Sequence, residues 1–552
     1  MKKKILPVLI AVGLILLITA GYFGAQFIKR YIPTKETIGA EEIFGVSGDD
    51  VALILDQEVQ ETRGLYVEGE TYLPLAWVNE YLNERFYWDE TENQLVYALP
   101  DSIVYANHET MGAAGKPLLW VNEDGVYLSL PLVETYTDIH ADQFDDGEVK
   151  RIYIDDTWAD CQVAVLKKDG KVRDKGGIKS PIMTSLEKGT TVQILDTMDN
   201  WSEVQTPDGF TGYIQNRLLK DIHTEAQVST FEKPVYTHKL LDEKVRLAWH
   251  QVTTMEANNA LEKLVANTKG LNVISPTWYA LSDNEGNYKS YASKTYVEKA
   301  HSMGLQVWAL VDNFSKDVQT EVLLASTTRR AKLIDSLMKE AAEYGFDGIN
   351  LDFEGLKTEA GVHYIQFIRE LSIACRKAEL ILSIDNYVPA VYNRFYDQAE
   401  QGNVADYVII MGYDEHYAGG DMGSVASYDY VKKGIEDMLT LVPKEQVINA
   451  IPLYTRVWTK ASDDSVSSQA LGISKAKEWV ESNSVNLYWQ DSLGQYYGEK
   501  ETDGGKMYIW MEEEKSIGLK MELIRDNDLA GVACWKLGFE PADLWDEIQY
   551  TE

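Results

Sequence analysis

The nine residues Phe346-Asp347-Gly348-Ile349-Asn350-Leu351-Asp352-Phe353-Glu354 carry the residue types that acid–base chemistry needs. In an extended strand, successive side chains point to opposite faces. Ile349, Leu351 and Phe353 then share an apolar face, and Asn350, Asp352 and Glu354 share the other. Two carboxyls two positions apart on one face interact. If Asp352 is ionised or shares a proton, Glu354 gives up its own proton less readily. A raised pKa suits a general acid working near neutrality. The chemistry expected is protonation of a leaving group by Glu354, with Asp352 beside it. Metal chemistry is not expected. Cys161, Cys375 and Cys534 are far apart and read as free buried thiols, and Glu415-His416 stands without a second cluster. No metal or cofactor is called for.

Three polar side chains in a row cannot fill a dry core cheaply, so this strand needs a fold that brings one end to water. From Lys244 onward, apolar runs alternate with amphipathic helical patterns such as Ala331–Tyr344 and His363–Ala378. That alternation predicts βα units on a parallel sheet. Eight strands are expected: Val245–Trp249, Leu271–Ser275, Gln306–Val311, Gly348–Phe353, Leu380–Ile384, Tyr407–Met411, Val447–Ile451 and Gly531–Trp535. The fold class is therefore α/β, a (β/α)8 barrel, whose C-terminal mouth carries the chemistry. Glu354 ends strand four at that mouth. The interval 459–528 exceeds one crossover and reads as a small α+β insertion walling the cleft, with a helix at Ser474–Ser482 and strands at Asn486–Trp489 and Met507–Trp510. Asp385-Asn386-Tyr387 is expected to border the cleft. Trp278, Trp308 and Trp458 either line the groove or pack under loops. His250 and His301 read as structural.

The strand-four segment resembles the signature of glycoside hydrolase family 18, Asp-x-x-Asp-x-Asp-x-Glu, with Asp347, Asp352 and Glu354 in place. The resemblance runs over about residues 244–545. Met411-Gly-Tyr413-Asp414 follows strand six, Pro452-Leu-Tyr454 follows strand seven, and Trp535 ends strand eight. Asn350 departs from the usual Asp, although spore- and wall-lytic bacterial members also carry Asn there. The resemblance implies a retaining, substrate-assisted reaction rather than one using two protein carboxylates. Glu354 would protonate the glycosidic oxygen. Asp352 would orient the substrate's acetamide, and Tyr413 would donate to its carbonyl oxygen. Asp414 would hold a distorted sugar above Trp535. Asn350, Asp347, Met411, Asn386 and Tyr454 complete the implied substrate site. The barrel most resembles the cortical-fragment-lytic branch, and Ile509-Trp510-Met-Glu512-Glu-Glu-Lys515-Ser516-Ile517 looks like that branch's insertion. The implied substrate is a β-1,4-linked N-acetylglucosamine glycan, peptidoglycan or its fragments ahead of chitin, its oligomers or N-glycans. A non-catalytic wall-glycan binder is the alternative, favoured only by Asn350.

Upstream of the barrel the chain is modular. The 24 uncharged residues Ile5–Ile28, between Lys2-Lys-Lys4 and Lys29-Arg30, are long enough to span a bilayer. Residues 1–30 are therefore expected to be a cytoplasmic tip and a single-pass anchor, with the body outside the cell. A cleaved signal peptide is the alternative. Residues 46–158 contain an echo, Val67–Leu75 and Val121–Leu130, each reading as a hairpin then a helix. This segment resembles the small N-terminal domain of copper amine oxidases, used as a stalk. Residues 162–222 resemble a bacterial Src-homology-3-type domain, through Ser180-Pro181-Ile182, Leu186-Glu-Lys-Gly189, Trp201-Ser-Glu-Val204 and Gly209-Phe-Thr-Gly212-Tyr213-Ile214. It either contacts wall peptides or acts as a spacer. A linker leads to the barrel domain at 243–552. The net charge is −35, and residues 1–36 hold six basic side chains against one acidic, so the body is more acidic still. Such a body repels nucleic acid but not a neutral glycan.

Overall fold

The computed structural model describes residues 5–145, 147 and 149–550; the basic tip at residues 1–4 lies outside the described residues. The chain divides into two compact units, Met1–Phe86 with Ala106–Lys233, and Tyr87–Tyr105 with Pro234–Glu552.

The first unit begins with the helix Ile5–Tyr31, within which Pro7–Tyr31 is apolar and long enough to cross a membrane. A seven-stranded sheet follows. In it the hairpin Glu58–Val67/Glu70–Pro74 runs into the helix Leu75–Tyr81, and the hairpin Leu119–Asn122/Gly125–Ser129 runs into the helix Leu130–Tyr136. The two hairpins join through antiparallel pairing of Leu73 with Leu128. Each therefore buries an edge that would otherwise be open. A second seven-stranded sheet spans Cys161 to Glu225. Ala164, Leu166, Val172, Val192, Val204 and Ile214 form its core.

The second unit is a closed parallel barrel. Its strands are β1 (Val245–His250), β2 (Val273–Pro276), β3 (Gln306–Asp312), β4 (Gly348–Asp352), β5 (Ile381–Tyr387), β6 (Tyr407–Met411), β7 (Val447–Pro452) and β8 (Gly531–Trp535). Each pairs in parallel with its neighbours, and β8 closes the ring on β1. Alternation along the strands sorts the core into two layers. Ile349, Leu351 and Phe353 point outward against Leu337, Phe367 and Leu371 of the surrounding helices. Leu247, Trp249, Trp308, Leu310, Tyr407 and Ile409 fill the interior, which is packed rather than open.

The helices have clear stops. Thr327–Tyr344 starts where the Ser326 side chain accepts from Arg329 N–H, and ends at Gly345, whose φ of +76° an L-residue would resist. Against this helix and Gly361–Lys377 lies an element the sequence reading did not separate. Tyr87–Asp89, Gln94–Ala98 and Ile103–Ala106 form a three-stranded sheet at the start of which Asp89 accepts from Thr327 N–H and Oγ1–H, both at 2.6 Å. Between β7 and β8 comes a five-stranded antiparallel sheet with the helix Ile473–Ser482. It begins at Tyr454, earlier than expected, and its last strand ends at Met511. The helix Glu514–Asp526 that follows is the barrel's own return to β8.

Candidate active site

At the C-terminal mouth of the barrel, Trp249, Phe314, Asp352, Glu354, Asp385, Tyr387, Met411, Tyr413, Asp414 and Trp535 surround a cavity of about 170 Å3. Asp352 ends β4, and Glu354 stands two residues on, at the mouth. The turn after it uses Gly355 at a φ of +64°, a conformation that favours glycine. Two groups fix the Glu354 backbone from β3's exit. Its N–H donates to Asn313 Oδ1 and its carbonyl accepts from Asn313 Nδ2, both at 2.9 Å. The Gly355 N–H donates to Tyr387 Oη at 3.1 Å, so the β5 tyrosine braces the same turn.

Below the carboxyls, Asn350 is fully enclosed. Its Oδ1 accepts from Trp249 Nε1 at 2.8 Å and from Ser275 Oγ at 3.0 Å, and its Nδ2 donates to Asp385 Oδ1 at 2.8 Å. An amide suits this place because it can accept on one side and donate on the other. Trp249 and Trp535 meet with ring centroids 5.9 Å apart and form an aromatic floor. Met411 lines the cavity beside them. Tyr454 does not line it but donates its hydroxyl to Asp414 Oδ1, while Arg456 approaches the same oxygen at 3.7 Å. Asp414 is thus held from the insertion.

The electrostatics follow from burial. Burial pushes the Asp352 carboxyl well above the ordinary aspartate range, and the charges of Asp385, Glu354 and Asp312 push it further. Asp385 is raised well above its usual range by burial, against the pull of the Asn350 amide. Glu354 is raised by burial; the Tyr387 hydroxyl opposes this, while Asp414 and Asp312 add to it. One Asp352 oxygen, Oδ1, is buried without a hydrogen-bond donor. Proton-holding carboxyls at an open mouth can deliver a proton to a bound molecule and take it back.

Several expected site residues lie elsewhere. Asp347 is at the opposite end of β4, where its Oδ2 accepts from Val307 N–H at 2.7 Å and meets His301 Nε2 at 2.8 Å. It braces the barrel bottom and does not reach the cavity. Asn386 is also a correction: it points outward, exchanging amide hydrogen bonds with Gln401 of the helix Gln398–Val404. Its neighbours Asp385 and Tyr387 face the cavity instead. Trp278, Trp308 and Trp458 are fully buried, their indole N–H groups donating to Asn258, Gln306 and the Gly423 carbonyl. His250 is buried against Tyr296, and burial with nearby Lys536 pushes it down to about 4. Glu415 caps the helix Tyr428–Leu439 through Ser427, and no metal-ligand cluster occurs among the described residues. Asp385 and Tyr387 border the cleft as the sequence led one to expect, though without an assigned role, whereas Asn313, Phe314 and Arg456 were not singled out. For Asp385 and Tyr387 the available signal was their parity with each other along β5.

The model of "Glycosyl hydrolases family 18" matches residues 249–540, and that of "Bacterial SH3 domain" matches residues 168–220. The chain is 27% identical over 301 residues to the uncharacterized glycosylase YvbX of Bacillus subtilis, covering 50% of this chain and 84% of that one. It is 26% identical over 232 residues to the cortical fragment-lytic enzyme of Bacillus subtilis, covering 41% of this chain and 54% of the relative. The chain thus spans about half the length of that relative. Among solved structures it is similar to a chitinase from Chromobacterium violaceum, with a TM-score of 0.50 and 21% identity over 55% of this chain and 98% of that one. It is likewise similar to the Bacillus cereus spore cortex-lytic enzyme SleL, with a TM-score of 0.50 and 19% identity over 59% and 77%. These structural likenesses concern the fold.

Proposed function

The chain belongs to glycosyl hydrolase family 18, and from that premise we propose that it hydrolyses β-1,4-linked N-acetylglucosamine glycans, with peptidoglycan or its fragments as the substrate, by a retaining, substrate-assisted reaction. The observation that carries this reading is the set of groups around one cavity: Glu354 above Asp352, with Tyr413, Asp414 and Trp535 facing them. Glu354 protonates the glycosidic oxygen as the bond to the anomeric carbon breaks. The substrate's acetamide oxygen attacks that carbon from the other side, giving an oxazolinium ion. Asp352 accepts the acetamide N–H and balances the positive charge. Tyr413 donates to the acetamide oxygen and aligns it. Glu354, now a carboxylate, takes a proton from water as that water opens the ring. Every proton that leaves Glu354 returns to it, so one carboxyl serves as acid and then base.

The aromatic floor suits a sugar ring, whose C–H faces are apolar while its edges are polar. The acidic body disfavours polyanionic substrates and is indifferent to a neutral glycan. The preference for a wall glycan over chitin rests on the modules before the barrel. The helix Pro7–Tyr31 has the length and composition of a single-pass anchor. We read residues 46–158 as a copper-amine-oxidase-N-like stalk and the bacterial SH3 domain as a contact to wall peptides, which together hold the barrel outside the membrane at the wall.

The test compares reducing-end release from purified peptidoglycan by the protein and by Glu354→Gln. Loss of the acid is expected to slow release by about 100- to 10,000-fold, the range for a general acid. Equal release by both proteins would remove Glu354 from the chemistry. Tight glycan binding with no release by the unmodified protein would make it a binding protein.

A further inference from the structure

Strands β4 and β5 run side by side with Asn350 opposite Ser383 and Leu351 opposite Ile384, so the next rung sets Asp352 beside Asp385. On the other side, Asp312 of β3 stands opposite Asp352. Three aspartates thus share one level of the barrel, but they are not equivalent. Asp352 and Asp385 both line the cavity, whereas Asp312 does not. Asp312 is turned to its own loop, accepting from Phe314 N–H at 3.1 Å. Asp385 is aimed inward by Asn350, whose amide donates to its Oδ1 at 2.8 Å. Asp352 leaves Oδ1 buried with no donor from any N–H or hydroxyl. A buried carboxylate oxygen is not left bare without cost. Asp385, the neighbouring carboxyl that lines the same cavity, can bring a proton to that oxygen.

We propose that Asp385 is a positioning residue that shares one proton with Asp352 across β4 and β5. The pair carries one proton and one negative charge throughout. In the empty site the proton lies between the two carboxyls and gives Asp352 Oδ1 its missing partner. When an acetamide N–H arrives at Asp352, the proton moves onto Asp385, leaving Asp352 as the carboxylate that the oxazolinium requires. No proton leaves the pair, and none is taken from Glu354. This account of Asp352's charge in the reaction rests on the function proposed above; the shared proton does not.

The groups facing the pair are Asp312 from β3, Glu354 from the end of β4 and Tyr413 after β6, with Tyr364 and Tyr396 from the elements outside β4 and β5. Burial and these carboxyls keep a proton on the Asp352–Asp385 pair beyond the ordinary aspartate range. The amide and the carboxyl of the Asn350–Asp385 pair are interchangeable in principle. An Asn350→Asp/Asp385→Asn double variant keeps the count of carboxyls, the hydrogen bond between positions 350 and 385, and a carboxyl adjacent to Asp352.

The experiment has two arms on the full-length protein. The first needs no turnover: infrared titration of the protonated carboxyl bands, with the Asp352 band identified by its loss in Asp352→Asn. In the unmodified protein this band is expected to persist well above pH 4. In Asp385→Asn it should disappear at lower pH. Asp312→Asn should move it less, and the double variant should bring it back toward its original pH. A band unmoved by Asp385→Asn, or moved more by Asp312→Asn, overturns the proposal. So does a folded double variant that fails to restore it, and this variant also decides the matter if Asp385→Asn alone does not fold. The second arm measures turnover of a chromogenic N-acetylglucosamine oligomer. Asp385→Asn should lower kcat by at least about tenfold, the equivalent of one pKa unit at Asp352, with little change in KM and a displaced pH optimum. The double variant should recover most of it. An unmodified protein that turns over no 2-acetamido substrate would refute the proposed function, while the titration would still judge the shared proton.

Discussion

Among the buried clusters of ionisable groups in the barrel unit, one at its mouth and one on its flank differ in kind. On the flank, Arg330 donates to Glu370 through Nε and Nη2, with a closest approach of 2.8 Å, and both side chains are buried. Arg330 also donates to Tyr87 and to the Leu324 carbonyl, and Gln366 donates to Glu370. Burial pushes Asp89 up, but donors from Thr327, Thr91 and Glu92 outweigh it and bring its carboxyl below the usual range. Every charge there has a counter-charge or several donors. At the mouth, Asp352, Glu354 and Asp385 are raised by burial and by neighbouring carboxylates, Asp312 and Asp414 among them, and only neutral donors from Tyr387 and Asn350 oppose the rise. Compensated burial holds helices and the 87–105 sheet in register. Uncompensated burial stores protons, and stored protons are what acid–base chemistry consumes.

The comparison can be broken first on the flank. Glu370→Gln keeps the volume but strands the Arg330 guanidinium. It should cost about 3–5 kcal/mol of stability in a denaturant titration, while molecules that remain folded keep the unmodified protein's turnover. A cost near zero would mean that water already reaches the pair. The mouth should respond in the opposite direction. Between the ordinary aspartate range and the raised native pKa of Asp352, the folded state binds more protons than the unfolded one, so stability falls as pH rises. Asp352→Asn removes that loss. The variant should be more stable than the unmodified protein at neutral pH, with the gap closing as pH falls toward the ordinary aspartate range, and it should be nearly inactive. Thermal unfolding across that range checks it. A variant less stable at neutral pH would place Asp352 with the compensated charges.

Much of the barrel was legible because its strands are apolar runs of the right length between amphipathic helices. All eight appear, the expected bounds differing by a residue or a few at the ends. Strand four was legible in detail because its polar and apolar residues alternate without exception. Strand five was not. Ser383, Asp385 and Asn386 put polar groups on both faces, and only the structure shows Asn386 satisfied by Gln401 outside the ring. Asp347 shares the outward parity of Ile349 and Leu351, so alternation already argued against the substrate role that motif resemblance implied. The 87–105 sheet was illegible for a different reason. It reads like any other hairpin, and its place is set by Asp89 meeting Thr327 from 238 residues away. The tryptophans were ambiguous because an indole near a strand end serves a groove or a core equally well until its N–H partner is known.

In the proposed reaction Glu354 works with the substrate's own acetamide, held by Asp352, rather than with a second protein nucleophile. Proton NMR of the first product formed from an N-acetylglucosamine oligomer tests this most directly, before the anomers equilibrate. Attack by the acetamide followed by water gives two inversions, so the new reducing end should appear as the β anomer. Initial formation of the α anomer would contradict the account.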